Sequence, residues 1–132
     1  MNRTKAREYA FILLFEYKFQ PDEISRIMAE FIDEYNPAQQ QEYIESIVNG
    51  VIENLETIDE KISEVSKDWK VERISNVCMS VLRLAVYEIE FRDDIPNVVS
   101  VNEAVNLAKK YDGEEAAPFV NGILGKIGGA TK

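Results

Sequence analysis

An all-helical fold, with about seven helices in two packed halves, follows from three features of the sequence. Apolar residues recur at three- and four-residue spacing through nearly the whole chain, which is the period of a helix face. No stretch keeps the alternate-residue pattern of a strand, and no Asn-Gly or Asp-Gly pair is flanked by alternating segments. Pro, Gly and Asn or Asp clusters divide the periodic stretches at lengths typical of globular helices. The chain has 132 residues, the size of one compact domain, so residues 1–132 are read as a single unit with halves 1–68 and 69–132.

The first helix runs through Tyr9, Ala10, Leu13, Leu14 and Tyr17, with Phe11, Ile12 and Phe15 widening its apolar stripe. So wide a stripe predicts burial on much of the circumference. Pro21 suits the first turn of a second helix, with Asp22 and Glu23 near its positive end and Ile24, Ile27, Met28, Phe31 and Ile32 inward. Asn36-Pro37 reads as a cap followed by a Pro at the first helical position. The third helix then turns Tyr43, Ile44, Ile47, Val48, Val51, Ile52 and Leu55 to the core. Thr57 and Glu60 are spaced as a capping box for a fourth helix through Ile58, Ile62 and Val65. The segment Asp68 to Arg73 is the expected junction, with Trp69 packed between the halves.

From Ile74 the positions Val77, Cys78, Val81, Leu82, Ala85 and Ile89 mark a long central helix. It is expected to end near Phe91 or Arg92, because Pro96 disfavours helical geometry at Ile95. Ser100 and Glu103 form a second capping-box pattern, followed by Val101, Ala104, Val105, Ala108 and Tyr111 as a core face. Gly113 suits a helix C-terminus. The last helix holds Phe119, Val120, Ile123, Leu124 and Ile127, with Pro118 in its first turn and Gly128-Gly129 at its end.

Composition narrows the function. There is no histidine, which removes Ser-His and Cys-His nucleophile systems and His-ligated metals. Cys78 is the only cysteine, so no intrachain disulfide and no Cys-rich zinc site is expected. No carboxylate pair stands out; Asp93-Asp94 reads as a solvated turn before Pro96. A non-enzyme without metal or cofactor is expected. Apolar runs such as Phe11 to Phe15 are too short for a bilayer, and no secretory h-region follows the charged start, so a cytoplasmic protein is expected. The net charge of -9 argues against nucleic acid at face value. Its distribution does not: residues 1–20 hold four basic and two acidic side chains, whereas residues 21–70 hold four and thirteen. A basic N-terminal patch on an acidic body would bind a polyanion locally and with strong salt dependence.

Three features exceed packing. Arg3-Thr4-Lys5-Ala6-Arg7 opens the first helix, either as a solubilising arm or as an anion site at exposed backbone N–H groups. Arg83 and Glu88 interrupt the apolar central helix, as a pair with another helix would. The stretch from Glu114 to Gly122 sets Phe119 and Asn121 at a helix N-terminus. Phe119 is a core residue or a stacking face for an unpaired base; Asn121 reads a base edge or packs.

The combination resembles the NusB transcription antitermination factors. The resemblance rests on Ala6-Arg7-Glu8 after basic residues, Trp69 with Arg73-Ile74, and Leu82-Arg83-Leu84-Ala85-Val86-Tyr87-Glu88. It continues through Asp94-Ile95-Pro96, Asn102-Glu103-Ala104-Val105 with Leu107-Ala108-Lys109, and Phe119-Val120-Asn121-Gly122. It implies two small helical bundles, binding of single-stranded boxA RNA in ribosomal RNA transcripts, a heterodimer with NusE (a ribosomal small-subunit protein), entry into the RNA polymerase antitermination complex, and no catalysis. Residue by residue it implies RNA contacts from Arg3, Lys5, Arg7, Glu115, Phe119 and Asn121, and a NusE surface on the fourth helix and around Asn76, Cys78, Met79 and Ser80. Four positions depart from the family pattern: Thr4 where another Arg is common, Cys78 and Met79 where an acidic-basic pair is common, and Pro118 where a basic residue is common. The alternative reading is a helical protein–protein or self-associating scaffold without RNA contact. A homodimer of the free chain is left open. The RNA assignment carries one structural demand: the two ends of the chain must meet in space.

Overall fold

The computed structural model describes residues 1–66 and 74–130. Among them are seven α-helices and no strand: α1 (Arg3–Phe19), α2 (Ile24–Tyr35), α3 (Gln41–Glu53), α4 (Leu55–Val65), α5 (Asn76–Phe91), α6 (Asn97–Asp112) and α7 (Ala116–Ala130). Short 3-10 turns at Pro21–Glu23 and Ala38–Gln40 lead into α2 and α3. The expected junction from Asp68 to Arg73, with Trp69, lies outside the described residues.

Local chemistry accounts for several helix ends. Asn2 caps α1, its side-chain oxygen accepting from the Lys5 backbone N–H at 2.8 Å, and Ser75 caps α5 by accepting from the Cys78 N–H at 3.0 Å. The α5 helix stops at Phe91, as Pro96 predicts, and Asp93 and Asp94 lie exposed in the turn that follows. Arg92 grips Asp94 there through two 2.9 Å hydrogen bonds. Gly113 closes α6 at φ +102°, a conformation that L side chains rarely adopt. Pro118 sits in the first turn of α7.

Four boundary expectations are corrected. Asn36 closes α2 in the left-handed region (φ 43°, ψ 69°), with its N–H bonded to the Ile32 carbonyl, instead of capping α3. Thr57 lies inside α4, which starts at Leu55 directly after α3, so no capping box forms. Ser100 and Glu103 lie inside α6, which starts three residues earlier behind Pro96. Gly128 and Gly129 stay helical; the Asn97 amide donates to the Gly128 carbonyl at 3.0 Å and pins that end of α7 to α6.

The α5 helix is the hub. Ten of its sixteen residues are buried, which identifies it as the helix that is apolar around most of its surface. It packs on α1, α3, α4, α6 and α7, and buried residues of all seven helices join one apolar cluster. Arg83 fulfils the ion-pair expectation, chelating Asp59 of α4 with two 2.9 Å bonds. Close approach of α3 to α5 requires Gly50, where an added Cβ would come within 2.2 Å of the Tyr87 ring. The α1 helix lies on both α3 and α5, and its Phe11 ring stands 5.0 Å from the Tyr111 ring of α6. The first helix in sequence is thereby set against the last third of the chain.

Candidate functional site

The start of α1 divides into an outer and an inner set of basic residues. Arg3 is half-buried, with its guanidinium 4.2 Å over the Tyr43 ring and its Nε donating to Gln40 at 2.8 Å. Both of these supports are neutral, and the nearby Arg3 charge, behind the Arg92 hydrogen bond, also helps to lower the Asp94 carboxyl. Lys5 is exposed and pairs with Glu8 one turn on, at 3.1 Å. Thr4 donates to Glu103 of α6 at 2.7 Å.

Arg7 is an inner residue and corrects the expectation of a surface contact. It is 2% exposed, its Nε donating to Glu88 at 2.9 Å and its Nη1 lying 3.1 Å from Glu103. Glu88 is fully buried and also accepts hydrogen bonds from Tyr43 and, at 2.8 Å, from Ser100. Burial works against the Arg7 charge, yet the facing Glu88 carboxylate raises its pKa above the ordinary value. Burial and the same carboxylate push the Tyr43 hydroxyl strongly upward. The network joins α1, α3, α5 and α6. It explains why Ser100 and Glu103 are spaced as a cap but serve the interior: an i, i+3 pair also shares one helix face.

Glu8 makes the second tie between α1 and α6. It accepts from Lys110 at 2.5 Å, from Tyr111 at 2.6 Å and from Lys5 at 3.1 Å. Burial alone would raise its carboxyl, but these three donors outweigh it and hold the pKa at about 2. The Glu8 hydrogen bond in turn pushes the Tyr111 hydroxyl up to about 12.

The other expected residues lie at the start of α7. Phe119 is half-buried and packs against the core edge, while Glu115 and Asn121 are exposed. The Glu115 carboxylate folds back on the turn, where a Cβ on Gly113 would meet it at 2.7 Å. The α7 helix returns along α6 from the Gly113 turn to the Asn97–Gly128 bond. The α6 helix is thus bonded on one side to the start of α1 and on the other to α7, so the two ends of the chain flank one helix.

The second expected set separates. Asn76 is exposed, but Cys78, Met79 and Ser80 are buried, at 3%, 7% and 1% exposure. Three consecutive residues sweep about 200° of a helix, so their common burial reflects the cover around most of α5. The Cys78 thiol donates to Asp112 at 3.1 Å, and burial with that carboxylate pushes it up to about 11. Beside Asn76 the surface opens into an apolar groove of about 210 Å³ lined by Phe11, Ile12, Phe15, Val77 and Tyr111. Sequence reading placed the three α1 residues in the core. Their signal was the excess width of the α1 stripe, more apolar surface than one packed face uses.

Among the described residues, no group of His, Cys, Asp and Glu is placed to hold a metal ion, and no helix is long and apolar enough to cross a membrane.

Residues 4–128 match the model of the NusB family. The transcription antitermination protein NusB of Clostridium botulinum is 43% identical over 96% of this chain and 99% of its own length. Among solved structures, T. maritima NusB superposes with a TM-score of 0.91 at 38% identity, covering 99% of this chain and 93% of that one. A structure of the antitermination factors NusB and NusE in complex with dsRNA superposes at 0.84 with 30% identity, over 98% of this chain and 99% of that one.

Proposed function

The chain belongs to the NusB family, and from that premise we propose that it is a transcription antitermination factor, binding boxA-type single-stranded RNA together with NusE in support of ribosomal RNA transcription. It works by binding, in the cytoplasm, within the RNA polymerase antitermination complex. The observation that carries the RNA part is that α6 is bonded both to the basic start of α1, through Thr4, Arg7 and Glu8, and to α7, which opens with the half-buried Phe119. A relative seen with NusE and double-stranded RNA supports the pairing of partner and RNA.

In this reading Arg3 and Lys5 meet phosphates, Phe119 offers its exposed edge to a base, and Glu115 and Asn121 face base edges with an acceptor and an amide. Arg7 acts through its neighbours: it fixes Glu103, which holds Thr4, and Glu88, which holds the Tyr43 ring under Arg3. The partner surface comprises Asn76 with the adjoining groove of Phe11, Ile12, Phe15 and Val77, while Cys78, Met79 and Ser80 set the backbone from below.

The test is Phe119→Ala in the NusE-bound chain. Loss of one base stack is expected to cost about 1–3 kcal/mol of boxA-type RNA affinity, with the helical circular dichroism retained. Unchanged RNA affinity would favour the scaffold alternative, to which the acidity of residues 21–70 also lends itself.

A further inference from the structure

The acidity of residues 21–70 has a definite place in the fold. The α2 and α3 helices carry three carboxylates each and one cation between them, Arg26, which is already bonded to Glu23 and Glu30. Two hollows meet on the outer side of α3. One, of about 580 Å³, opens between α3 and α5, and its lining includes Glu42, Glu45, Glu53 and Tyr87. The other, of about 420 Å³, opens between α2 and α3 over Met28, Ala29 and Ile32, with Asp33 beside them. Gln41 and Glu45 line both, so the two form one continuous groove, and no lysine or arginine lines either part.

Glu42, Glu45, Asn49 and Glu53 stand at i, i+3, i+7 and i+11, one stripe of α3 that extends about 16 Å along the helix. Asp33, Glu45 and Glu53 make no hydrogen bond or ion pair among the described residues, although Glu45 is half-buried. Arg92, whose charge lies near Glu42, is engaged twice by Asp94. The wall on the α5 side is aromatic. Tyr87 lies over Gly50, where the missing Cβ gives its ring room, and it stacks on Phe91 at 5.1 Å; Phe91 is 45% exposed. Carboxylates beside aromatic rings favour a guanidinium, which pairs with the first and stacks on the second, over a more strongly hydrated ammonium. The same carboxylates repel phosphate, so RNA does not suit the groove.

We propose that the groove between α2, α3 and α5 is a further docking surface, for an extended, arginine-bearing basic segment of a protein partner. About five residues of extended chain cover the length of the stripe. Guanidinium groups meet Glu42, Glu45 and Glu53 beside the Tyr87 ring, and aliphatic stems lie on Met28, Ala29 and Ile32. The proposal is independent of the RNA reading: it uses neither the start of α1 nor Phe119.

The full chain is titrated with the blocked peptide Arg-Ala-Arg-Ala-Arg and with its lysine and glutamate counterparts, followed by amide NMR shifts. The arginine peptide is expected to bind most tightly and the glutamate peptide not at all, with the shifts centred on the α3 stripe and Tyr87. Glu45→Gln/Glu53→Gln is expected to weaken the arginine peptide on the order of tenfold. Phe91→Ala is expected to weaken it about two- to fivefold, with a smaller effect on the lysine peptide. Glu60→Gln/Glu64→Gln removes the same charge from α4, outside the groove, and is expected to bind like wild type. The substituted carboxylates hold no internal bond, so the helical circular dichroism is expected to be retained. Equal weakening by the two double variants would reduce the effect to general acidity and overturn the groove, as would shifts centred elsewhere. Self-association abolished by Glu45→Gln/Glu53→Gln would make the occupant a second copy, and shifts in the groove on adding boxA-type RNA would make it RNA; either overturns the proposal.

Discussion

A buried guanidinium is tolerated only when its charge and hydrogen bonds are matched, and Arg7 meets Glu88 at 2.9 Å and Glu103 at 3.1 Å. Removing it takes the guanidinium away from the fully buried Glu88 carboxylate. Arg7→Met is expected to destabilise the chain by about 3–5 kcal/mol, read as a lower urea midpoint with an unchanged slope. A midpoint equal to that of wild type would return Arg7 to the surface. In the sequence Arg7 is one of three basic residues in a row of five, and charge alone does not separate it from Arg3. Helical spacing does: Arg7, Ala10, Phe11 and Leu14 lie on one stripe and all four are buried. Phe119 was legible as an ambiguity, core or platform, and its half-buried position at the edge of the core is compatible with both.

At the scale of elements, α1 is held to α6 by Glu8, and that tie is pH-dependent. The Glu8 pKa lies at about 2 in the folded chain against an ordinary 4.5, so its contribution is fully present above about pH 4.5 and is lost as pH falls toward 2. Discounted for the exposed ends of Lys5 and Lys110, that contribution is roughly 1–2 kcal/mol. Glu8→Gln is therefore expected to be less stable at neutral pH and to show a flatter loss of stability between pH 4.5 and 2, measured by urea midpoints across that range. Parallel acid limbs for the two chains would contradict it. Helix bodies were legible because burial imposes the 3.6-residue period on the sequence. Several starts were not, because cap spacing and same-face spacing coincide. Ser100 and Glu103 satisfy the capping pattern, but Pro96 starts the helix earlier and turns both side chains toward α1 and α5.

At the scale of the molecule, the order of helices and their inner faces follow from local pattern, whereas the placement of α1 does not. Nothing local to Arg3 or Lys5 encodes that α1 lies beside α6. That depends on Arg7 and Glu8 finding Glu88, Glu103, Lys110 and Tyr111, which are 81 or more residues away. This long-range placement bonds the basic start of the chain to α6, the helix to which α7 is also bonded, and the proposed function depends on it. The most direct measurement is a titration of the NusE-bound chain with boxA-type RNA and with a scrambled RNA of the same length and composition, at two salt concentrations. Tighter binding of the boxA-type RNA, weakening for both as salt rises, is the predicted result. Equal affinity for the two RNAs would contradict the account.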